Sequence, residues 1–125
     1  MAWKFESDRP IYTQLLEQIE LKIISGEYKP GSRLKSVREL AAEAAVNPNT
    51  MQKALVKLEE NGLIITSRSV GRTVTEDTGL IEETKQMTAR KYTAEYVTKM
   101  RQLGMSVKEC SRSVEEMEIK DNSEE

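Results

Sequence analysis

The sequence contains no histidine and a single cysteine, Cys110, among its 125 residues. Zinc sites, Ser-His-Asp or Cys-His catalysis and a disulfide framework therefore lack ligands or partners within the chain. No apolar run of about 18 residues occurs, and the first residues lack the apolar stretch of a signal peptide. We accordingly expect no metal ion or other cofactor, no contact with a membrane and a cytoplasmic location.

The chain is also short and poor in aromatic side chains, which make up 5% of it. Its length suits a compact module of about 75 residues with a short extension, and leaves no room for a large catalytic domain. Serine, lysine and carboxylate side chains are scattered through the chain without a nucleophile motif. The sequence therefore predicts a protein that is not an enzyme.

Charge is divided unevenly along the chain, although the net charge is only −2. Residues 1–75 contain 11 basic and 9 acidic side chains, whereas residues 76–125 contain 8 basic and 12 acidic ones. The basic excess is concentrated between Arg33 and Arg72, so we expect this region to bind a polyanion. The acidic overall composition therefore does not exclude DNA as a partner.

Two helices are predicted in the first 45 residues from apolar side chains that recur at three- and four-residue intervals. The first covers about residues 10–25, with Pro10 suited to the first helical position. Ser36 followed by Glu39 is a capping box that opens a second, short helix ending near Ala44.

A third helix and a small hairpin follow closely. Asn47 can cap the third helix and Pro48 can occupy its first position, and the helix ends at Asn61. Short β-branched stretches at residues 63–66 and 73–75 predict the two strands of a hairpin. Two helices joined by a tight turn and followed by a hairpin are the order of a winged helix-turn-helix.

The last part of the chain predicts two further helices, one over about residues 80–103 and one opened by a second capping box, Ser106 with Glu109. Their apolar side chains form a stripe, which consists of Tyr92, Tyr96, Met100, Leu103, Val107, Cys110, Val114 and Met117. Two such helices are too small for a core of their own, so the stripe needs a second surface. We expect a homodimer, and we interpret Cys110 as a small core hydrophobe.

The predicted fold is thus mainly α with a small β-hairpin. A winged helix-turn-helix DNA-binding domain covers residues 1–77, a two-helix dimerisation extension covers residues 78–120, and residues 121–125 form a disordered acidic tail.

In this architecture the N-terminal residues of the second motif helix face base edges in the major groove. Here they include Asn49, Thr50, Gln52 and Lys53. Amide side chains can bond adenine edges in a bidentate manner, and lysine can reach phosphate or guanine. The exposed face of the third helix therefore suits sequence-specific DNA binding.

Three stretches of the sequence resemble the GntR family of bacterial transcription regulators. They are residues 31–41 (GSRLKSVRELA), 46–55 (VNPNTMQKAL) and 58–64 (LEENGLI). The opening at residues 10–15 (PIYTQL), the Asn-Pro-Asn-Thr stretch and the short C-terminal part resemble the YtrA subfamily in particular. Pro48 and Gln52 stand where many family members have arginine.

The resemblance implies a homodimeric regulator, specifically a repressor, that binds a pseudo-palindromic double-stranded operator and controls an ABC transporter operon. It places Arg38 and the first turn of the third helix on DNA, and Gly71 at the wing tip near the minor groove. The full set of residues expected at DNA is Arg33, Lys35, Ser36, Arg38, Asn47, Pro48, Asn49, Thr50, Gln52, Lys53, Arg68, Gly71 and Arg72. The basic members would contact phosphate, whereas Asn49, Thr50 and Gln52 would read bases.

The sequence leaves one alternative open: a winged helix used only as a protein-protein interaction module, without DNA binding. The two hypotheses differ in whether the chain binds duplex DNA in a salt-dependent manner. The sequence also leaves open whether a small-molecule effector binds. No convergent polar cluster marks a pocket for such a molecule.

Overall fold

The computed structural model describes residues 3–124 and confirms a mainly helical fold with one small β-hairpin. Its elements in chain order are α1 (Ile11–Ile24), α2 (Val37–Ala44), α3 (Pro48–Glu60), β1 (Ile64–Ser67), β2 (Gly71–Val74), α4 (Thr78–Gln102) and α5 (Val107–Glu124). No helix in this part of the chain is long and apolar enough to cross a membrane.

Helix α1 begins at Ile11, one residue after the predicted start. Pro10 has a φ of −57° and a ψ of 137°, so its backbone is extended and it precedes the first helical residue. The proline still suits this place because its missing N–H removes a donor that the first turn could not satisfy.

The predicted starts of α2 and α3 are confirmed by their caps. The Ser36 Oγ accepts a hydrogen bond from the Glu39 N–H at 3.2 Å, and the Ser36 N–H donates to Glu39 Oε1 at 3.2 Å. At α3, the Asn47 Oδ1 accepts from the Asn49 N–H at 2.8 Å, and Pro48 occupies the first helical position. Both helices therefore begin where side chains replace the missing backbone partners.

The turn between α2 and α3 depends on one residue in the left-handed region. Ala45 has a φ of 56°, a conformation that places the following N–H groups over the end of α2. The Val46 N–H donates to the Ala41 carbonyl oxygen at 2.9 Å. This tight turn fixes the angle between the two helices of the motif.

The hairpin, which forms the wing, is antiparallel and pairs Ile64 with Val74 and Ser67 with Gly71. The segment before α2 joins it, because the Leu34 N–H donates to the Arg72 carbonyl oxygen at 2.9 Å. The wing is therefore held beside the N-terminus of α2.

One hydrophobic core unites α1, α2, α3 and the wing. Its least exposed large side chains are Leu15, Ile19, Ile23, Leu40, Met51, Leu55, Leu58, Leu63, Ile64 and Val74. They recur at helical spacing in α1 and α3, so the same period that buries them leaves the opposite faces free.

An N-terminal strap, residues 3–6, lies along α1 and is held by two glutamine side chains. The Glu6 N–H donates to Gln14 Oε1 at 2.7 Å, and the Lys4 N–H donates to Gln18 Oε1 at 3.2 Å. Gln14 is buried, with 4% of its surface exposed, so its amide replaces the backbone partners that an isolated extended segment would lack.

The strap also covers a buried lysine. The Lys22 Nζ lies 4.7 Å from the Trp3 ring centroid, 5.6 Å from that of Tyr28 and 2.7 Å from Glu27 Oε2. Burial, with smaller contributions from Glu43 and Glu27, raises the pKa of Tyr28 to about 12. The aromatic rings and the carboxylate together offset the cost of desolvating the ammonium group.

The chain divides into two compact units, Met1–Lys85 and Gln86–Glu125. The division follows residue 85, whereas the sequence placed a domain boundary between residues 77 and 78. The physical reason is that Leu80 and Ile81, at the start of α4, pack against the core of the first unit.

The second unit has almost no core of its own. Among residues 86–117, Cys110 is buried, with 3% of its surface exposed, and the others are half-buried or exposed. The Tyr96 hydroxyl donates to the Cys110 carbonyl oxygen at 3.1 Å, and the capping box of Ser106 and Glu109 is present. Helix α5 extends to Glu124, through residues we predicted as a disordered tail, and Glu125 lies outside the described residues.

Candidate nucleic-acid interface

The exposed face of α3 presents the polar side chains that the sequence predicted. Asn49, Gln52 and Lys53 are exposed and Thr50 is half-buried. Met51, between them, is fully buried in the core. The helix therefore separates a packing face from a face that can meet a ligand, and Pro48 and Asn47 at its start are exposed as well.

A groove of about 880 Å³ lies between the start of α2 and the wing. Its lining includes Arg33, Lys35, Ser36 and Arg38 on one side and Thr66, Gly71 and Arg72 on the other. The fold thus brings together residues that lie about 28 to 39 positions apart in the sequence. Arg68 is exposed in the turn of the wing and is not part of this lining.

Four of the predicted phosphate-binding side chains form no ion pair within 4 Å in the part of the chain that the structure describes. They are Arg33, Arg38, Lys53 and Arg68, and all four are exposed. A cation without a carboxylate partner can meet a phosphate without first breaking an ion pair.

Lys35 differs, because its Nζ lies 2.7 Å from Glu43 Oε2. The Trp3 Nε1–H donates to the other carboxylate oxygen of Glu43 at 3.0 Å. The hydrogen bonds from Lys35 and Trp3 lower the pKa of Glu43, so this carboxylate stays ionised and pairs with the lysine at the surface.

Arg72 is also paired. Its Nε donates to Glu59 Oε1, and its Nη2 donates to Gln52 Oε1 at 3.4 Å. Burial works to raise the pKa of Glu59, but hydrogen bonds from Arg72 and Thr66 outweigh it and the pKa is lowered. Arg72 therefore links the wing to α3 within the same molecule.

Two other predicted site residues serve first as helix caps. The Ser36 hydroxyl oxygen accepts from α2, and the Asn47 side-chain oxygen accepts from α3. The Ser36 hydroxyl hydrogen and the Asn47 amide N–H groups keep their capacity to donate outward. Gly71 has a φ of 87° and nothing within 4 Å of an added Cβ, so its backbone conformation, and not lack of space, favours glycine there.

Sequence reasoning did not predict that Glu43 would pair with Lys35 or that Glu59 would pair with Arg72 on this surface. For Glu59 a weak signal existed, since it lies seven residues after Gln52 and thus on the same face of α3. Thr66 was predicted only as a strand residue, and no local pattern indicated its place in the groove.

The apolar stripe predicted for dimerisation divides into two groups. Tyr96 and Met100 are half-buried and Cys110 is buried within the chain. The rest are exposed by half or more: Tyr92, Leu103, Val107, Val114 and Met117. A substantial apolar surface on the second unit therefore has no cover within the described chain.

A short helix, a tight turn, a second helix with an exposed polar face and a wing with basic residues together define a winged helix-turn-helix DNA-binding protein. The model of the bacterial regulatory proteins of the gntR family matches residues 11–74. The chain belongs to this GntR family of DNA-binding transcription regulators, and it is not an enzyme.

Relatives in Bacillus subtilis agree with this assignment. The chain is 33% identical over 111 residues to the uncharacterized HTH-type transcriptional regulator YhcF, covering 89% of this chain and 92% of that protein. It is 44% identical over 78 residues to the HTH-type transcriptional repressor YtrA, covering 61% of this chain and 60% of that protein. The predicted resemblance to YtrA is confirmed.

Solved structures give the same result. A GntR family transcriptional regulator from Listeria monocytogenes superimposes with a TM-score of 0.84 at 37% identity, covering 90% of this chain and 98% of that one. The DNA-binding domain of AraR in complex with operator ORE1 superimposes with a TM-score of 0.51 at 26% identity, covering 60% of this chain and 94% of that one.

Proposed function

We propose that the chain is a homodimeric repressor that binds a pseudo-palindromic operator through α3 and the wing. The observation that carries the proposal is the exposed polar face of α3 together with four exposed cations that form no ion pair within 4 Å in the described chain. A surface of this kind supplies base-edge contacts and phosphate contacts together. The AraR domain with its operator is a related fold on DNA, which supports the orientation assumed here.

The proposal assigns two kinds of contact. Asn49, Thr50 and Gln52 read bases, since they lie in the first turns of the helix that enters the major groove. The phosphate contacts come from Arg33, Arg38, Lys53 and Arg68. Lys35 and Arg72, which the sequence placed in the same set, already pair with Glu43 and Glu59 and are left out of it.

The remaining predicted residues take supporting parts. Ser36 and Asn47 hold the starts of α2 and α3 and can offer outward donors to phosphate, while Pro48 fixes the first turn of α3. Gly71 lets the end of the wing approach a groove without a side chain.

Dimerisation is proposed from the exposed stripe on α4 and α5. Five large or medium apolar side chains of the stripe are at least half exposed. Leaving this apolar surface in water would cost a monomer too much free energy. A second copy of the chain covers them symmetrically, and it places two α3 helices for half-sites about one helical turn apart.

Repression is proposed because YtrA of Bacillus subtilis, to which the chain is 44% identical over 78 residues, is a transcriptional repressor. Control of an ABC transporter operon follows from the resemblance to the YtrA subfamily. The proposed place of action is the cytoplasm, where the operator would be.

The base-reading assignment is tested with two neighbouring variants on a preferred duplex and on a random one. Gln52→Ala should weaken binding by about 1–3 kcal/mol on the preferred duplex and little on the random one, whereas Lys53→Ala should weaken both. With eight unpaired cations in a dimer, log affinity should fall against log salt with a slope of about −7. Equal losses from Gln52→Ala on both duplexes would defeat the assignment.

If the protein retained no duplex at any salt concentration, the winged helix would be a protein-interaction module instead. That outcome would remove both the base-reading and the phosphate-binding roles.

A further inference from the structure

The contact between the wing and α3 determines how one base-reading side chain is presented. Arg72 donates from Nε to Glu59 and from Nη2 to Gln52 Oε1, at 3.4 Å. Thr66 is paired with Arg72 across the two strands of the wing, and its side chain contributes to lowering the pKa of Glu59. The wing is thus fastened to α3 through the Arg72–Glu59 ion pair.

The chemistry of the arginine fixes the orientation of the glutamine amide. A guanidinium group has only donors, so the atom of Gln52 that faces it must be the carboxamide oxygen. The carboxamide nitrogen, with its two hydrogens, then points away from the wing. Gln52 is exposed on α3, so this nitrogen is the atom available to a bound ligand.

This orientation conflicts with the adenine contact expected from the sequence alone. A bidentate bond to adenine needs the amide oxygen to accept from N6 while the amide nitrogen donates to N7. Arg72 occupies one lone pair of the amide oxygen and draws that oxygen toward the wing, so the group that the side chain presents outward is the donor nitrogen. Guanine presents two neighbouring acceptors, N7 and O6, in the major groove.

We infer that Arg72, held by Glu59, is a positioning residue that makes Gln52 a hydrogen-bond donor and thereby sets a preference for guanine over adenine at one operator position. The inference rests on the proposed DNA-reading role of α3. It assigns the wing a part in base selection in addition to its proximity to the DNA backbone.

The test compares the duplexes retained from a random pool by the full-length wild type and by Arg72→Gln. The wild type should enrich guanine at one position of each half-site, and Arg72→Gln should lower the guanine-to-adenine ratio there about tenfold, as a released amide regains the adenine contact. The matched control is Arg68→Gln, also in the wing. It should leave the selected sequence unchanged and reduce the salt slope by about 2 per dimer, as expected for one lost phosphate contact per subunit.

A second variant keeps the arginine and removes its anchor. Glu59→Ala should lower the same ratio at the same position, whereas Glu60→Ala, which removes a neighbouring exposed carboxylate, should not. If Arg72 were instead a phosphate contact, Glu59→Ala would strengthen binding to all duplexes and leave the selected base unchanged. Thermal unfolding of each variant establishes that it is folded at the assay temperature.

The possible outcomes distinguish a failure of the positioning role from a failure of the proposed DNA-binding function. If Arg72→Gln and Glu59→Ala both select the same motif as the wild type, the positioning role is overturned and the proposed function is not. A wild-type motif with adenine at the Gln52 position also overturns it. A wild type that enriches no sequence overturns the proposed function, and the positioning role falls with it.

Discussion

The exposed stripe on the second unit leads to a quantitative expectation for Leu103. This side chain is 73% exposed in the single chain. Fully burying a leucine contributes about 1.5–3 kcal/mol, so covering the exposed part contributes about 1–2 kcal/mol per subunit. A symmetric dimer contains the residue twice, and Leu103→Ala should therefore weaken association by about 2–4 kcal/mol, or roughly 30- to 700-fold in the dissociation constant.

Sedimentation velocity over a concentration series measures this directly. Wild type should sediment as a dimer down to concentrations at which Leu103→Ala is already a monomer. Val70→Ala is the matched control, because Val70 is 45% exposed but lies in the wing, and it should leave the dissociation constant unchanged. A wild type that stays monomeric, or one that dissociates at the same concentration as Leu103→Ala, would refute the dimer reasoning.

Three further predictions concern the first unit. Leu55→Ala, at a fully buried position of α3, should lower the free energy of unfolding in urea by about 2–5 kcal/mol. Val56→Ala, at a position that is 36% exposed, should lower it by less than about 1 kcal/mol. Equal losses would contradict the assigned faces of α3. Ala45→Gly should raise the free energy of unfolding by about 1 kcal/mol, since φ is 56° there and glycine has no Cβ to strain; a lower melting temperature would count against this. The Tyr28 hydroxyl should titrate at a pH of about 12, measured as the tyrosinate absorbance that Tyr28→Phe lacks. Because the folded state holds this proton more tightly than the unfolded state, its contribution to stability is complete below the ordinary tyrosine pKa and is lost as pH rises toward 12. A midpoint at the ordinary value would contradict the partial burial of the Tyr28 hydroxyl.

Local signals in the sequence predicted most of the helix starts. The capping boxes at Ser36 and Ser106 and the Asn-Pro pair at residues 47–48 are present as expected. Each cap joins atoms of residues only two or three positions apart, so a short stretch of sequence is enough to predict where the helix starts.

The wing was predicted with its strands displaced. The sequence placed them at residues 63–66 and 73–75, and the structure has them at Ile64–Ser67 and Gly71–Val74. β-branched residues indicated the strands, but pairing extends the hairpin through Ser67 and Gly71, which have no such side chains. Register depends on the partner strand and the turn, which strand propensity alone does not contain.

The ion pairs on the candidate interface could not be predicted from the sequence either, because their partners meet only in the folded chain. Arg72 meets Glu59 only because the hairpin folds back on α3, and Lys35, just before α2, meets Glu43 near the end of that helix. Counting charges along the chain gave the correct local excess of basic residues. It could not distinguish cations that are free for phosphate from cations already neutralised by a tertiary contact.

The domain boundary shows the same limit. A change in composition near residue 78 suggested that the first domain ended there. Leu80 and Ile81 nevertheless complete its core, so the first turns of α4 belong to the first unit. Their apolar character was visible, but which of two units would bury them was not.

Operator recognition by a dimer is tested most directly by selection from a random pool of duplex DNA with the purified wild-type protein at near-physiological salt. We predict enrichment of an inverted repeat whose half-sites lie about one helical turn apart. Binding of the enriched duplex should fall steeply with added salt. A pool that emerges without any enriched motif, or duplex binding that does not respond to salt, would contradict operator recognition by a dimer.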